Sequence, residues 1–206
     1  MSNHCYNQLT IQSTYENIDK IMEHLRGPET MFDFNNLVPM PEPMKDIQVI
    51  HLGEKQYFYS KAKWRKHLND AKELYPVQVL YPSFPDKEWV TENAVDDFTI
   101  RRLTMDHGTA YWYDWSCSNW GTKSNAYDVE YFVGPIPNAT IIEDGRQLTY
   151  RFTTAWAEPQ PVIKALMHYL AQPEFDQYVE MRWRFRDEQE NYDGEISNKD
   201  DESLYE

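Results

Sequence analysis

Gln177-Tyr178-Val179-Glu180-Met181-Arg182-Trp183-Arg184-Phe185-Arg186 alternates without a break. Val179, Met181, Trp183 and Phe185 share one parity, and Glu180, Arg182, Arg184 and Arg186 share the other. Successive side chains of a strand point to opposite faces, so the pattern predicts a strand with one dry and one charged face. Working back from it, Val162–Leu170 predicts a helix led in by Ala155-Trp156-Ala157-Glu158-Pro159-Gln160-Pro161. A proline in the first helical turn is tolerated, because its missing N–H has no partner there. Ahead of that helix, Ala139–Asp144 and Leu148–Thr154 predict two strands joined at Asp144-Gly145, where glycine supplies the positive φ of a hairpin turn.

The other end of the chain completes the pattern. In Asn3–Gln12, Cys5, Leu9 and Ile11 fall on one parity, as in a half-buried strand. Ser13 or Thr14 caps a helix over Tyr15–Leu25, with Ile18, Ile21, Met22 and Leu25 at helical spacing and Gly27-Pro28 as the stop. Phe32–Val38 alternates like a further strand and is closed by Pro39, Pro41 and Pro43. Setting Phe32–Val38 aside, the order is strand, helix and then, past an insertion, strand, strand, helix, strand, that of an α+β, ferredoxin-like βαββαβ unit: an antiparallel sheet with both helices on one face.

A large, mainly helical insertion, about 44–110, interrupts that order. Lys55–Leu74 predicts a helix with a basic cluster at Lys61, Lys63, Arg65, Lys66 and His67. Trp89–Met105 predicts a second, with Val90, Ala94, Val95, Phe98 and Leu103 as its apolar face. Tyr75–Pro82 between them is short and extended. The insertion has too few apolar residues for a core of its own, so residues 1–186 form one domain. Residues 187–206 hold nine acids against Lys199 alone and predict an acidic, flexible tail.

Composition narrows the function. At 206 residues, with 41% hydrophobic and 15% aromatic content, the chain can bury a sizeable core. The formal charge of -14 argues against direct nucleic-acid binding, as does the lack of an aromatic and basic motif on the central strands. No apolar run approaches the roughly 20 residues that cross a bilayer. Met1-Ser2-Asn3-His4 lacks the character of a signal peptide. Cys5 and Cys117 are too few for a disulfide framework, which fits a cytoplasmic protein.

The most unusual stretch is 111–128, with three of the seven tryptophans and three of the fifteen tyrosines among Asn, Ser, Thr, Lys and Asp. Such rings carry apolar area and polar tips together, which suits a half-buried, hydrogen-bonded loop. Its candidate binding residues are Trp115, Asn119, Trp120, Gly121, Thr122, Lys123 and Asp128. Trp156, in the turn after Thr154, joins them, and Trp115, Trp120 and Trp156 are expected to meet as an aromatic cluster. Trp-Gly-Thr-Lys lacks the second, spaced glycine of a phosphate loop. Cys5, Cys117, His4 and His107 lack the spacing of a zinc site, and nothing marks Ser116 or Cys117 as an activated nucleophile. No cofactor, metal or catalytic residue is therefore expected.

Several of these stretches carry a resemblance. Asn3-His4-Cys5-Tyr6-Asn7 with Leu9 and Ile11 comes first, then Phe34-Asn35-Asn36-Leu37-Val38-Pro39-Met40-Pro41. Tyr113-Asp114-Trp115, Asn119-Trp120-Gly121-Thr122-Lys123 and Phe152-Thr153-Thr154-Ala155-Trp156-Ala157 with Pro159 and Pro161 follow in order. In these the chain resembles the Api92-like and YubB-like family of phage, plasmid and prophage proteins, departing at His4 and Ser124, where that family tends to carry Trp. The resemblance implies a ferredoxin-like domain, a mobile-element setting inside a bacterial host cell, and no established activity. The function expected is non-catalytic: binding of a host protein, as an anti-defence inhibitor or DNA mimic. The acidic surface favours a basic, nucleic-acid-binding host enzyme as partner. The alternative is a small-ligand or nucleotide-binding domain that uses loop 111–128.

Overall fold

The computed structural model describes residues 3–74, 84–137, 145–175, 178–189 and 193–198. In chain order the elements are β1 (His4–Thr14), α1 (Tyr15–Leu25), a 3-10 turn (Phe34–Asn36), α2 (Glu42–Asp46), β2 (Ile47–Leu52), β3 (Lys55–Ser60) and α3 (Lys61–Leu74). They continue with α4 (Lys87–Glu92), α5 (Asp97–His107), α6 (Trp112–Asn119), β4 (Tyr127–Pro135), β5 (Gly145–Ala155), α7 (Gln160–Leu170), β6 (Glu180–Asp187) and β7 (Asp193–Ser197). The chain divides into two compact units, 1–39 with 116–206, and 40–115.

The first unit is a mixed α+β fold on a five-stranded antiparallel sheet of order β4-β5-β1-β6-β7. Alternation dictates which side is dry. Cys5, Leu9 and Ile11 of β1, Leu148, Tyr150 and Phe152 of β5, and Met181 and Trp183 of β6 are buried. Gln8, Thr10 and Gln12 of β1 and Arg182 and Arg184 of β6 lie on the other, open face. Two helices supply the apolar counterpart: Ile18, Ile21 and Leu25 from α1, and Val162, Ile163 and Leu166 from α7. His24 of α1 stacks on Tyr169 of α7 with ring centroids 3.9 Å apart, so these helices are neighbours. The Thr14 hydroxyl accepts from the Asn17 amide, which makes Thr14 the cap of α1.

The expected strand over Phe32–Val38 is corrected by a 3-10 turn. The Asp33 carboxylate accepts from the Asn35 amide N–H and from Asn35 Nδ2, both at 2.9 Å. Such local bonds compete with a strand ladder and win here. The apparent alternation arises because Phe32 and Phe34 are both buried, packed edge to face with each other and with Phe152. The expected strand Ala139–Asp144 lies outside the described residues; the strand that pairs with β5 is β4. The acidic segment expected as a flexible tail from 187 is corrected over part of its length. Asp187 closes β6 and Asp193–Ser197 pairs with β6 as β7, where Glu195 meets Arg182 and Arg184 at 3.2 and 2.7 Å.

The second unit holds a β-hairpin as well as helices. Lys55–Ser60, expected as helix, is β3, paired with β2 through a Gly53-Glu54 turn in which Gly53 has φ 67°. Its aromatic residues Tyr57, Phe58 and Tyr59 favour the pleated pairing. Asp46 ends the strand region by accepting from the Ala62 amide and the Ser60 hydroxyl at the start of α3. The expected helix Trp89–Met105 is two helices. Asn93 Nδ2 donates to the Trp89 carbonyl and closes α4, and the Asp96 carboxylate accepts from the Thr99 amide and opens α5. Phe98, expected on the apolar face, is exposed. Trp89 packs on Trp64 and Tyr59, with ring centroids 4.9 and 6.1 Å apart.

Candidate functional site

Loop 111–128 is not irregular throughout: Trp112–Asn119 is α6. Trp115 belongs to the second unit and is buried. From Ser116 onward the chain belongs to the first unit, and there each candidate residue has a distinct position. Asn119, half-buried, ends α6. Trp120 is buried, donates its indole N–H to the Val38 carbonyl at 2.8 Å and meets the Phe34 ring edge to face. Thr122 is buried and donates its hydroxyl to the Ala155 carbonyl at 2.6 Å. Gly121 between them has φ 79°, and a Cβ there would lie 2.8 Å from Pro161 Cδ and 3.0 Å from the Glu158 carbonyl. Only glycine combines that backbone conformation with so close an approach.

Trp120, Gly121 and Thr122 thus dock the loop against two other stretches, Leu37–Pro39 and Ala155–Pro161. A buried polar chain holds the second of these from below. Trp183 Nε1 donates to Asn7 Oδ1 at 3.1 Å, Asn7 Nδ2 donates to Thr154 Oγ1 at 3.1 Å, and Thr154 Oγ1 donates to the Ala157 carbonyl at 2.7 Å. Asn7 sits on the apolar parity of β1 between Cys5 and Leu9, so its polarity there is the sequence signal for such a network. Asn125 is a second hub: its side-chain oxygen accepts from the Phe34 and Ala126 amides, and its Nδ2 donates to Asp33. Neither asparagine was among the expected site residues.

What this framework presents is Trp156. Its relative exposure is 54%, its φ is 79°, and its amide donates to the Asn3 carbonyl at 3.0 Å. A bulky residue in left-handed backbone is a genuine outlier, of a kind that costs about 1–3 kcal/mol and concentrates at functional positions. The Lys123 ammonium lies over the indole, 5.4 Å from its centroid. Trp120 is thus a buried lock, and Trp156 is an exposed ring under a cation.

Asp128 is exposed, also left-handed at φ 50°, and sits in a β-bulge between Tyr127 and Glu130. It lines an open cleft of about 690 Å³ with Arg26, Asp33, Asn35 and Asn125. Burial, and next the Asp128 charge, push the neighbouring Tyr127 phenol above its usual pKa. Among the described residues no three or more His, Cys, Asp or Glu side chains gather as metal ligands, and no helix is long and apolar enough to cross a membrane. Compared with protein-family models, curated proteins and solved structures, the chain has no match.

Proposed function

We propose that this chain is a non-catalytic recognition protein that engages a host protein through Trp156 and Lys123. The observation that carries the reading is an indole kept exposed on left-handed backbone, at the end of a fully hydrogen-bonded buried network. A strained position is retained only when its surroundings over-determine it. Tryptophan is the residue most enriched among binding hot spots, and a lysine above it confines the approach of a partner. The sheet order β4-β5-β1-β6, with α1 between β1 and β4 and α7 between β5 and β6, supports reading the first unit as a ferredoxin-like βαββαβ domain with β7 added at one edge.

The stretches that resemble the Api92-like and YubB-like family include residues that build the Trp156 presentation: Asn7, Val38, Trp120, Gly121, Thr122 and Thr154 all belong to them. That coincidence supports a phage or plasmid accessory role in a bacterial cytoplasm, with counteraction of host defence as the setting. The excess acid favours a basic partner. Capture from host lysate tests the reading. A stoichiometric partner retained by the wild type and lost with both Trp156→Gly and Lys123→Ala supports it; equal capture by all three refutes it. A second reading rests on the cleft beside Asp128: a small polar ligand there raises the melting temperature of the wild type but not of Asp128→Ala.

A further inference from the structure

β4 is the outermost described strand on its side of the sheet. Tyr131 and Val133 pair with Tyr150 and Leu148 on the helix-covered face, and Phe132 pairs with Thr149 on the open face. Yet all three are exposed, at 42%, 44% and 55% in the order Tyr131, Val133, Phe132. Three consecutive large apolar residues on an edge strand make a template for pairing with another strand, which proteins ordinarily blunt with lysine, proline or a bulge. Both ends of β4 are blunted in this way. The bulge at Asp128 disrupts one, and Pro135, which has no N–H to donate, closes the other. Between them Tyr131–Val133 carries no charge, proline or bulge on the strand itself, and Phe132, with the Arg151 guanidinium 5.7 Å from its ring centroid, is its midpoint.

We infer that this edge is a self-association surface: β4 pairs antiparallel with β4 of a second copy, about a two-fold axis at Phe132. The register follows from the window. Phe132 meets Phe132 of the second copy, Tyr131 meets Val133, and Glu130 meets Gly134. These are aromatic–aromatic and aromatic–β-branched pairs, the combinations that stabilise a ladder, and no charge faces a like charge. The two Glu130 carboxylates end about 13 Å apart along the strand, at roughly 3.3 Å per residue. That exceeds a Debye length of about 8 Å at physiological ionic strength. The other edge of the sheet is a poorer partner. β7 carries Asp193 and Glu195, and running it against β4 brings those acids toward Glu130. Self-pairing is isologous and closes at two copies, whereas β4-to-β7 pairing is open-ended. A five-residue strand pair is a small interface, so the dimer is a weak one. With a net charge of -14 on each copy, salt strengthens it.

The test is sedimentation velocity of the full chain across a hundredfold range of concentration, at low and high salt. Wild type shifts from monomer towards dimer, more so in high salt, and Phe132→Lys stays monomeric with an unchanged circular dichroism spectrum. Register is read by mild oxidation in a Cys117→Ser background: Phe132→Cys forms a disulfide-linked dimer at least tenfold faster than Glu130→Cys. A wild type that is monomeric throughout overturns the inference. So does a dimer indifferent to Phe132→Lys, growth into open-ended species, or equal cross-linking at the two positions.

Discussion

Gly121 shows how much one residue without a side chain carries. Its left-handed backbone turns the chain between two buried anchors, the Trp120 indole and the Thr122 hydroxyl. Gly121→Ala combines a left-handed penalty with contact against Pro161 and the Glu158 carbonyl. Chemical denaturation should show a loss of about 2–4 kcal/mol. Tyr150 makes the opposite case. It is fully buried and stacked on Phe32, and its hydroxyl has no hydrogen-bond partner among the described residues. A buried, unsatisfied hydroxyl costs stability, so Tyr150→Phe should be neutral or stabilising by about 1 kcal/mol in the same measurement. Burial of an individual ring is also what sequence conveys least. Trp120 stands between Asn119 and Gly121 and is locked inside, whereas Trp156 stands between Ala155 and Ala157 and is presented to solvent.

At the scale of elements, what was legible followed from periodicity. The alternation around Met181 and Trp183, and the helical spacing of Ile18, Ile21 and Leu25, each reflect one face packed against a core, and those elements fall as expected. Failures occurred where a short polar side chain overrides the apolar pattern. Asp33 curls Phe34–Asn36 out of a strand, and Asn93 with Asp96 cuts one expected helix in two. Pairing across distance was also hidden: nothing local in Asp193–Ser197 announces that Glu195 will meet two arginines on β6. Asn7 is the element-scale hinge of the candidate site, joining β6 through Trp183 to the turn after β5 through Thr154. Asn7→Ala should cost about 3 kcal/mol, because it leaves the buried Trp183 N–H without its acceptor.

For the whole molecule, alkaline pH is a sensitive probe of the buried aromatic content. Tyr59, Tyr111, Tyr127, Tyr150 and Tyr169 are all held above the usual phenol pKa, burial being the first cause in each. Below about pH 9 these groups are protonated in folded and unfolded chains alike, and their contribution is constant. Above it the unfolded chain loses its phenolic protons first and binds fewer than the native state, so stability falls as pH rises. Melting temperature should therefore decline between pH 9 and pH 11, and Tyr150→Phe should reduce the decline. The presented indole is more than half exposed, so little of the buried core depends on it. The most direct measurement pairs melting temperature with host-protein capture for Trp156→Gly. The account predicts a melting temperature no more than about 4 °C below wild type, about 1–2 kcal/mol in a chain of this size, because glycine relieves the left-handed strain as the indole contacts are lost, with capture abolished. A large loss of stability, or capture that persists in the folded variant, would contradict it.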